Sequence, residues 1–419
     1  MGRAVPILPC RAIRPSRPRR RTERPEPLST DFLAAISRPA REAPDSGISA
    51  VATYGRARPD VVPFWVGEAD LPTPKFICDA ATRSLAAGET FYTASRGIPE
   101  LRQALARYHE RLFGGSFAPD RFFVTGSGMQ SIQLAVAMLA GIDDEVLVPT
   151  PAWPNCAAAI GVRGARPVAV PMRLSNAGWT LDLDDLAAAI TPKTRAIFFN
   201  SPCNPTGWTA SREELATVLA LARARGLWII ADEVYTRFVY DGSPRAASFH
   251  DVAEPDDRII YTNTFSKNWA MTGWRVGWIE ADPALGQVIE NLIQYSTSGV
   301  AVFMQRGAIA ALDHGESFVE HQIARVKRNR DVVTSAFERS PRIRFSPPTG
   351  AFYMFFSIDG EPDTRALPFR LMDDIRIGLA PGGAFGAAGE GHMRLCFART
   401  PESVEMAVGR LLGWLDKPL

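Results

Sequence analysis

The stretch Leu227-Trp-Ile-Ile-Ala-Asp-Glu-Val-Tyr235 joins an uncharged apolar run directly to two carboxylates and a tyrosine. A short run that is apolar on both faces is typical of a strand buried within a parallel sheet. Parallel α/β sheets bind their ligands beyond the carboxyl ends of the strands. We therefore predict a buried strand over residues 227–231, and we expect Asp232, which follows it, to lie at a ligand-binding edge.

Strands of the same kind are predicted on both sides of this stretch, at Glu145–Val148, Ala196–Asn200, Arg258–Asn263 and Val276–Ile279. Between two of them, Ser211 and Glu214 have the spacing of a capping box, which predicts a helix through Ala224. Gly226 follows where a left-handed C-cap belongs. Short apolar runs that alternate with amphipathic stretches predict an α/β fold with helical crossovers.

The pattern changes towards both ends of the chain. Residues 30–75 are rich in proline and turns, and a long helical stretch is predicted from Leu285 to about Ala336, ahead of a shorter α+β segment. We expect four parts: a disordered Arg/Pro-rich leader at 1–29, an N-terminal arm with part of a small domain at 30–75, a large domain at 76–290, and an interdomain helix with a small C-terminal domain at 291–419.

Composition argues against several classes of protein. The formal net charge of +2 leaves no global field to attract nucleic acid or a membrane, and no apolar run is long enough to span a bilayer. The eight arginines of residues 1–27 lie among prolines, in a stretch that cannot bury enough apolar surface to order itself. A transit peptide, or a tail that binds an anionic surface, is the alternative for this segment.

Cysteines and histidines give two further expectations. The five cysteines are odd in number and scattered, without the paired spacing of a zinc site or a disulfide framework. They predict buried, inert thiols in a reducing cytoplasm. The five histidines lack the spacing of metal ligands, so we expect no metal site.

Lys267 ends the polar segment Thr264-Phe-Ser-Lys267 after a predicted strand, and the tryptophan-rich stretch Trp269 to Trp278 follows it. A partly desolvated ammonium loses its proton more easily, and the neutral amine can attack a carbonyl. Arg275 adds a cation that favours this loss and can bind phosphate. Taken alone, such a lysine is a solvated surface charge. Beside the other polar strand ends, it predicts a Schiff-base lysine.

Three more polar side chains follow neighbouring strands. Asp232 suits the partner of a protonated pyridine nitrogen, although a helix cap or a core ion pair would also explain it. Tyr235 follows three residues later, and Asn204 lies in Asn200-Ser-Pro-Cys-Asn-Pro-Thr-Gly207. Either can hydrogen-bond a ring hydroxyl, and either alone would more often be a satisfied turn or core residue. Together they predict a site at one edge of the sheet.

The segment Thr125-Gly-Ser-Gly-Met-Gln130 precedes a helix whose apolar positions Ile132, Val136 and Leu139 have helical spacing. A glycine turn at a helix N-terminus offers free N–H groups and the positive end of the helix dipole. A plain turn is the alternative. With Arg275, the turn predicts a phosphate site.

Two residues suit the remaining parts of a substrate complex. Trp153 follows a predicted strand and can stack on a pyridine ring, although a lone tryptophan is more often core. Arg394 lies in the apolar run Gly391-His-Met-Arg-Leu-Cys-Phe397, where a bidentate guanidinium fits a carboxylate or forms an internal ion pair. The loops Gly67–Asp70 and Pro381–Gly386 are expected near that anchor, where their backbone N–H groups can help to hold the carboxylate. Ordinary turns would explain their glycines equally well.

From about Ser46 to the C-terminus, the chain resembles the class I and II aminotransferases, the fold-type I pyridoxal-phosphate (PLP) enzymes that include aspartate aminotransferase. The matching elements, in family order, are Gly67–Asp70, Tyr92 through Gly97 to Arg102, Asn200–Gly207, Asp232–Tyr235, Ser266-Lys267, Arg275, Gly350–Tyr353 and Arg394. The resemblance implies a large domain with a mostly parallel mixed sheet between helices, and a smaller α+β domain formed by both chain ends. It implies transfer of an amino group from an L-amino acid to a 2-oxo acid, through an internal aldimine on Lys267 and pyridoxamine phosphate.

The resemblance also implies a role for each candidate residue. Lys267 is the Schiff-base lysine and proton shuttle, and Asp232 holds the pyridine nitrogen. Asn204 and Tyr235 hold the ring oxygen, Trp153 covers the ring, the residues around the phosphate are Ser127, Gly128, Met129, Thr264, Ser266 and Arg275, and the substrate contacts are Gly67, Asn204 and Arg394. In relatives, the tyrosine that matches Tyr92 reaches the phosphate of the neighbouring subunit, which implies a homodimer.

The chain departs from the family pattern in two places. The turn Ser127–Met129 differs from the commonest phosphate loops, and Gln294 stands near the position where some dicarboxylate-specific relatives carry a second arginine. The donor amino acid therefore stays open.

Two other functions also stay open. A PLP-dependent β-lyase uses the same fold, although Tyr235 favours transfer because lyase-like relatives often have histidine there. A PLP-binding regulator would need a folded DNA-binding module, which the residues ahead of Ser46 do not resemble.

Overall fold

The computed structural model describes residues 30–416. The strands are β1 (Val62–Pro63), β2 (Phe122–Thr125), β3 (Glu145–Thr150), β4 (Arg166–Pro171), β5 (Arg173–Ser175), β6 (Gly178–Thr180), β7 (Thr194–Asn200), β8 (Trp228–Asp232), β9 (Ile259–Thr264), β10 (Gly277–Glu280), β11 (Ile343–Phe345), β12 (Tyr353–Ile358), β13 (Ile377–Gly378), β14 (Ala380–Pro381) and β15 (His392–Cys396). The α-helices are α1 (Thr30–Ala35), α2 (Arg38–Arg41), α3 (Gly47–Arg56), α4 (Lys75–Ala86), α5 (Pro99–Phe113), α6 (Gly128–Leu139), α7 (Pro154–Gly161), α8 (Leu183–Ala188), α9 (Arg212–Arg225), α10 (Phe265–Asn268), α11 (Gly286–Gln294), α12 (Val302–His314), α13 (Glu316–Phe337), α14 (Leu367–Ile375) and α15 (Pro401–Leu415).

Seven strands form the main sheet in the order β2-β10-β9-β8-β7-β3-β4. Strands β9, β8, β7, β3 and β4 run parallel, whereas β10 lies antiparallel between β2 and β9. All five predicted strands are present, and the expected α/β fold with a mostly parallel mixed sheet is confirmed. Asn200 pairs with Asp232 at the carboxyl ends of β7 and β8, so the polar residues that follow these strands meet at one edge.

Helix α9 is decided by its local sequence. The Ser211 hydroxyl accepts from the Glu214 N–H at 3.1 Å, and the Glu214 carboxylate accepts from the Ser211 N–H at 2.7 Å. Gly226 then stops the helix in the left-handed region, with φ of +64°. The predicted capping box and C-cap are confirmed, and α9 carries the chain back from the end of β7 to the start of β8 as a parallel crossover requires.

The helical stretch predicted from Leu285 to Ala336 is three helices. After α11, Ser298 and Gly299 have φ of +55° and +97°, which a right-handed helix excludes. Gly315 separates α12 from α13, and a Cβ there would lie 2.3 Å from the carbonyl oxygen of Ala311. The stretch is thus mostly helical as predicted, but it is divided at these two breaks.

A smaller antiparallel sheet has the order β11-β12-β15-β14. The N-terminal strand β1 pairs with β13, with Val62 opposite Ile377, so both chain ends build this smaller α+β unit as expected. Its core packs Phe337, Phe356 and Leu411 between the small sheet and helices α13 and α15. The domain boundaries at residues 75/76 and 290/291 stay predictions.

Three sequence expectations concern the ends and the surroundings of the chain. The predicted leader, residues 1–29, lies outside the described residues. Within residues 30–416, no helix has both the length and the apolar character needed to cross a membrane. Cys156, Cys203 and Cys396 are free and buried as predicted, Cys78 is free but only partly buried, and Cys10 lies outside the described residues.

Candidate active site

A cavity of about 760 Å³ opens at the carboxyl ends of the parallel strands, between the main sheet and the smaller unit. Predicted site residues that line it are Gly67, Gly128, Met129, Trp153, Asn204, Asp232, Tyr235, Thr264, Ser266, Lys267, Arg275 and Arg394. They come from segments more than 300 residues apart in the chain, and the fold brings them into one cleft.

Two predicted residues lie apart from this lining. The Ser127 hydroxyl caps α6 by accepting from the Gln130 N–H at 3.0 Å. Tyr92 lies on the surface with 94% of its area exposed, next to Phe91, which is also exposed. The roles of Ser127 and Tyr92 at the phosphate stay predictions.

Lys267 lies in the single turn α10, directly after β9 ends at Thr264. Its Nζ donates to the carbonyl oxygen of Gly67 at 2.8 Å and lies 5.8 Å from the centre of the Tyr235 ring. Burial lowers the pKa of Lys267 to about 8, because a low-dielectric setting disfavours the ammonium. The neutral, nucleophilic amine is therefore much more abundant near neutral pH than it is for an exposed lysine.

Asp232 ends β8 with only 4% of its area exposed. Its Oδ1 has no hydrogen-bond partner among the described residues, and burial raises the pKa of the carboxyl to about 7. An unpaired buried carboxylate oxygen costs free energy that a donor can recover. The fold thus presents an acceptor that a protonated nitrogen in the cavity would satisfy.

Asn204 and Arg394 form the buried end of the cavity. Arg394 is 2% exposed, and its Nη1 donates to Asn204 Oδ1 at 3.0 Å while Nη2 donates to the Trp65 carbonyl. The Nε of Arg394 has no partner among the described residues. Both hydrogen bonds of this guanidinium within residues 30–416 go to neutral acceptors, so the structure of those residues does not support the alternative of an internal ion pair.

The start of α6 forms the opposite end. The first N–H groups of a helix, here those of Gly128 and Met129, have no acceptor within the helix. A Cβ on Gly277 would lie 2.7 Å from the Gly128 nitrogen, so glycine is what lets β10 approach this turn. Ser266 Oγ lies 2.9 Å from Thr264 Oγ1, and the exposed Arg275 extends the donor set, which suits an anion.

The family model for aminotransferase class I and II matches residues 59–411. The chain belongs to the aminotransferase class I and II family. This aminotransferase is 34% identical to the aspartate aminotransferase of Pyrococcus horikoshii over 84% of this chain and 90% of the relative. It is also 34% identical to the arginine–pyruvate transaminase of Pseudomonas aeruginosa, over 91% of this chain and 96% of the relative.

Solved structures agree with these relatives. The crystal structure of aspartate aminotransferase from Thermotoga maritima superposes on this aminotransferase with a TM-score of 0.85 and 32% identity, covering 91% of this chain and 100% of that one. The predicted fold type I and the predicted aminotransferase function are confirmed. The two relatives named above act on different donors at the same identity, so identity leaves the donor of this aminotransferase open.

The sequence did not reveal several lining residues of this aminotransferase. Ser49, Thr53 and Arg56 face the cavity from one side of α3, where their spacing of three and four residues is the only signal. Tyr353 was part of a matched motif, but nothing in the sequence assigned it a contact. Its hydroxyl lies 2.7 Å from that of Tyr235, 118 positions earlier in the chain.

Proposed function

We propose that the cavity binds PLP as the working cofactor of an amino-group transfer, with Lys267 as the lysine that carries it. The observation that carries this proposal is the buried Asp232 Oδ1, which faces the same cavity as the Lys267 amine and lacks a partner among the described residues. When bound, PLP supplies an aldehyde for amines and a ring that draws electrons from the reacting carbon. The residues present fit each part of that molecule.

The ring end of the site has one acceptor and two donors. Asp232 accepts a proton-bearing ring nitrogen, and that cation restores the charged form of a carboxyl whose pKa burial raises to about 7. Asn204 uses its carbonyl for Arg394, which leaves its Nδ2 to donate to a ring oxygen. The Tyr235 hydroxyl would donate to the same oxygen, and Trp153, which follows β3 and lines the cavity, would cover the ring.

The phosphate end relies on backbone donors. The N–H groups of Gly128 and Met129 and the dipole of α6 favour an anion there, and Thr264, Ser266 and Arg275 surround it. In this role Ser127 contributes through its place at the N-cap of α6.

Lys267 and Arg394 carry out the remaining work. Arg394 binds the carboxylate of the substrate and so fixes the α-carbon in the cavity. The free amine of Lys267 accepts the proton of that carbon at Nζ. The same Nζ then donates the proton to complete the transfer. The depressed pKa of Lys267, about 8, suits a group that must both accept and release a proton near neutral pH.

The test uses the absorbance spectrum of the purified protein, recorded after addition of single amino acids and no oxo acid. We expect a visible band that bleaches with the correct donor and returns when an oxo acid is added. Lys267→Ala should lack the lysine-dependent band, whereas Lys327→Ala, which removes an ammonium that donates to the Tyr240 carbonyl, should keep it. A band that no amino acid bleaches, with release of pyruvate and ammonia, would contradict the proposal and favour a lyase.

The proposed substrates are α-amino acids and 2-oxo acids whose carboxylate binds Arg394. Gln294, the neutral residue expected near the second carboxylate site of some relatives, accepts from the Ser95 hydroxyl at 2.7 Å. A panel of acidic, basic, aromatic and aliphatic donors at equal concentration identifies the side-chain preference.

We further propose a homodimer in which Tyr92 completes the phosphate site of the partner. Three exposed aromatic residues, Phe91, Tyr92 and Tyr295, lie on segments joined by the hydrogen bond between Ser95 and Gln294. The Gln130 side chain links the second segment to the start of α6 by donating to Ser296 at 2.7 Å. Large exposed aromatic groups are typical of interfaces, and these adjoin the anion site.

Mixed dimers test this arrangement. Lys267→Ala and Tyr92→Ala are each expected to be impaired as pure proteins. If Tyr92 acts across the interface, a dimer of the two variants has one site with both defects and one intact site, so mixing restores activity. If Tyr92 acts within its own subunit, every site keeps one defect and mixing restores nothing, which would contradict the proposal.

A cytoplasmic location completes the proposal. The described cysteines are free, and burial raises the pKa of Cys203 to about 11, which keeps this thiol protonated. Unpaired buried thiols suit a reducing compartment. Fractionation of the native source checks the location.

A further inference from the structure

Tyr353 occupies the junction between the two ends of the proposed site. It lies on β12 with none of its surface exposed, yet it lines the cavity. Its hydroxyl lies 2.7 Å from the Tyr235 hydroxyl, and the guanidinium carbon of Arg394 lies 4.6 Å from the centre of its ring. One side chain therefore contacts a residue of the cofactor end and the residue of the carboxylate end.

Tyr353 also presses against the backbone that anchors the lysine. A Cβ on Gly67 would lie 2.6 Å from the Tyr353 hydroxyl oxygen, and the Gly67 carbonyl accepts from Lys267 Nζ. The surrounding β12 and β15 pairing, with Tyr353 opposite Cys396, holds the ring in place. The small sheet holds Tyr353 through β12. The contact of its hydroxyl with Tyr235 therefore links that sheet to the segment that follows β8.

Either hydroxyl of this pair can be the donor to the other. A phenol has one proton to donate and can accept at its oxygen. If Tyr353 donates to Tyr235, the proton of Tyr235 is free to point into the cavity. Hydrogen bonds in such a chain strengthen one another, so the first donor makes the second a better donor. Burial raises the pKa of both phenols, so both keep their protons.

We propose that Tyr353 is a positioning residue, whose hydroxyl aims the Tyr235 O–H at the ring oxygen of the cofactor and whose ring holds the Arg394 guanidinium for the substrate carboxylate. This inference rests on the proposed placement of the ring oxygen beside Tyr235. Donation from Tyr235 stabilises negative charge on that oxygen and makes it a poorer acceptor for the proton on the lysine-derived nitrogen. A weaker donation therefore raises the pH at which the visible band titrates.

The experiment is a pH titration of the visible absorbance band in the holoenzyme. Tyr353→Phe keeps the ring and removes the hydroxyl, and we expect the midpoint to rise by about 0.5–1 pH unit, the size of one weakened hydrogen bond. Tyr235→Phe should raise the midpoint at least as much. In the double variant, Tyr353→Phe should add nothing, because it acts through Tyr235.

A matched control separates this effect from loss of any buried phenol. Tyr240 is also buried, and its hydroxyl donates to the Ala351 carbonyl, away from Tyr235 and Arg394. Tyr240→Phe should leave the midpoint unchanged. An equal shift in that variant would overturn the inference.

The ring contact is tested by the Michaelis constant. Tyr353→Phe keeps the cation–π contact with Arg394, so KM for the amino acid should change less than about twofold. Tyr353→pentafluorophenylalanine keeps the size and reverses the ring charge distribution, so KM should rise by about two- to fivefold.

The outcomes distinguish the inference from the function on which it rests. If Tyr235→Phe shifts the midpoint and Tyr353→Phe does not, the role of Tyr353 is wrong and the proposed function stands. If neither shifts it, the placement of the ring oxygen is wrong and the inference falls with it. Additive shifts in the double variant would also overturn the inference, since they mean that Tyr353 acts independently of Tyr235.

Discussion

Two buried polar regions meet at the end of β8, and they differ in how many hydrogen bonds their carboxylates receive. Asp232 faces the active-site cavity, with one carboxylate oxygen unpaired among the described residues. Glu233, the next residue, is buried to a similar degree, but the Ser248 hydroxyl donates to it, at 2.8 Å from Oε1 and 2.9 Å from Oε2. Two neighbouring carboxylates of similar burial thus differ in their partners. One oxygen of Asp232 lacks a donor among the described residues, whereas both oxygens of Glu233 have one.

The satisfied region extends to a second carboxylate, and we call Glu280, His250, Arg121, Ser248 and Glu233 the Glu280 network. Glu280 is fully buried, 2.8 Å from His250 Nε2 and 3.1 Å from Arg121 Nε. Although burial alone would raise the pKa of Glu280, attraction to His250 holds it at about 2. Burial would lower the pKa of His250, but Glu280 raises it. The charges of Glu280 and His250 therefore stabilise the fold, although burial still raises the pKa of Glu233. The Asp232 carboxylate instead faces the cavity with one oxygen unpaired among the described residues.

The largest difference between the regions should appear in catalysis. Lys267→Ala should reduce transamination by more than about 10⁴-fold, because general acid–base transfer alone contributes about 10²–10⁴ and the nucleophile is lost as well. The free energy of unfolding of the cofactor-free protein should not fall, since the ammonium is disfavoured by burial. Steady-state kinetics measure the loss of turnover, and urea unfolding measures the stability. Lys327→Ala is the control for both. Turnover like that of the wild type would refute the mechanism.

The cavity residues were open to prediction because each follows a strand whose apolar run is visible in the sequence. Asn200, Asp232 and Thr264 end β7, β8 and β9, so parallel pairing brings them together. The face of α3 that carries Ser49 and Arg56 was not predicted, since its place depends on how the small unit packs. The antiparallel direction of β10 was equally hidden, because an apolar run has no direction.

The next largest effect is expected for Glu280→Gln, which should lower the free energy of unfolding and leave catalysis unchanged. Glu280→Gln keeps the shape but leaves His250 and Arg121 without their buried counter-charge, and breaking a buried pair costs about 3–5 kcal/mol. Urea unfolding at pH 7 measures the loss, and the visible band of the folded variant should persist. Glu42→Gln, in the exposed pair of Arg38 and Glu42, is the control and should cost under about 1 kcal/mol.

The pH dependence of that loss identifies its cause. A carboxyl with a folded pKa of about 2, below its unfolded value of 4.5, stabilises the protein above pH 4.5 and loses that contribution as pH falls towards 2. His250, with its pKa raised, contributes below 6.5 and loses its contribution as pH rises through the folded value. The wild-type advantage over Glu280→Gln should therefore shrink below pH 4.5. A constant difference from pH 7 to pH 3 would mean that packing, rather than charge, holds the network.

The Glu280 network was not predictable from the sequence. His250 and Glu280 lie 30 positions apart, Arg121 directly precedes β2 and Glu233 directly follows β8, and no local spacing links them. Their partners are decided by the register of β10 against β2 and β9. Register depends on tertiary packing, which a single sequence does not display.

Asp232→Asn should raise the free energy of unfolding, whereas Glu280→Gln should lower it. The folded pKa of Asp232, about 7, lies above its unfolded value of 3.8, so the charge destabilises the cofactor-free protein increasingly as pH rises from 3.8 to 7. The variant lacks this cost and should be more stable than wild type by about 1–3 kcal/mol at pH 8, and equally stable near pH 4. Unfolding of the cofactor-free proteins at both pH values measures it. A less stable variant at pH 8 would show that Asp232 is satisfied in solution.

Ser248→Ala should give the smallest effect and locate the boundary between the regions. The hydroxyl lies between Glu233 and His250, 2.8 Å from Glu233 Oε1 and 2.9 Å from His250 Nδ1, so its removal leaves a buried carboxylate with one donor fewer and should cost about 1–2 kcal/mol. Because Asp232 and Glu233 share a backbone but no hydrogen bond, the absorbance titration of the holoenzyme should stay unchanged while urea unfolding reports the loss. A shifted titration midpoint would mean that strain at Glu233 reaches Asp232, and that the satisfied region supports the geometry of the open one as well as its stability.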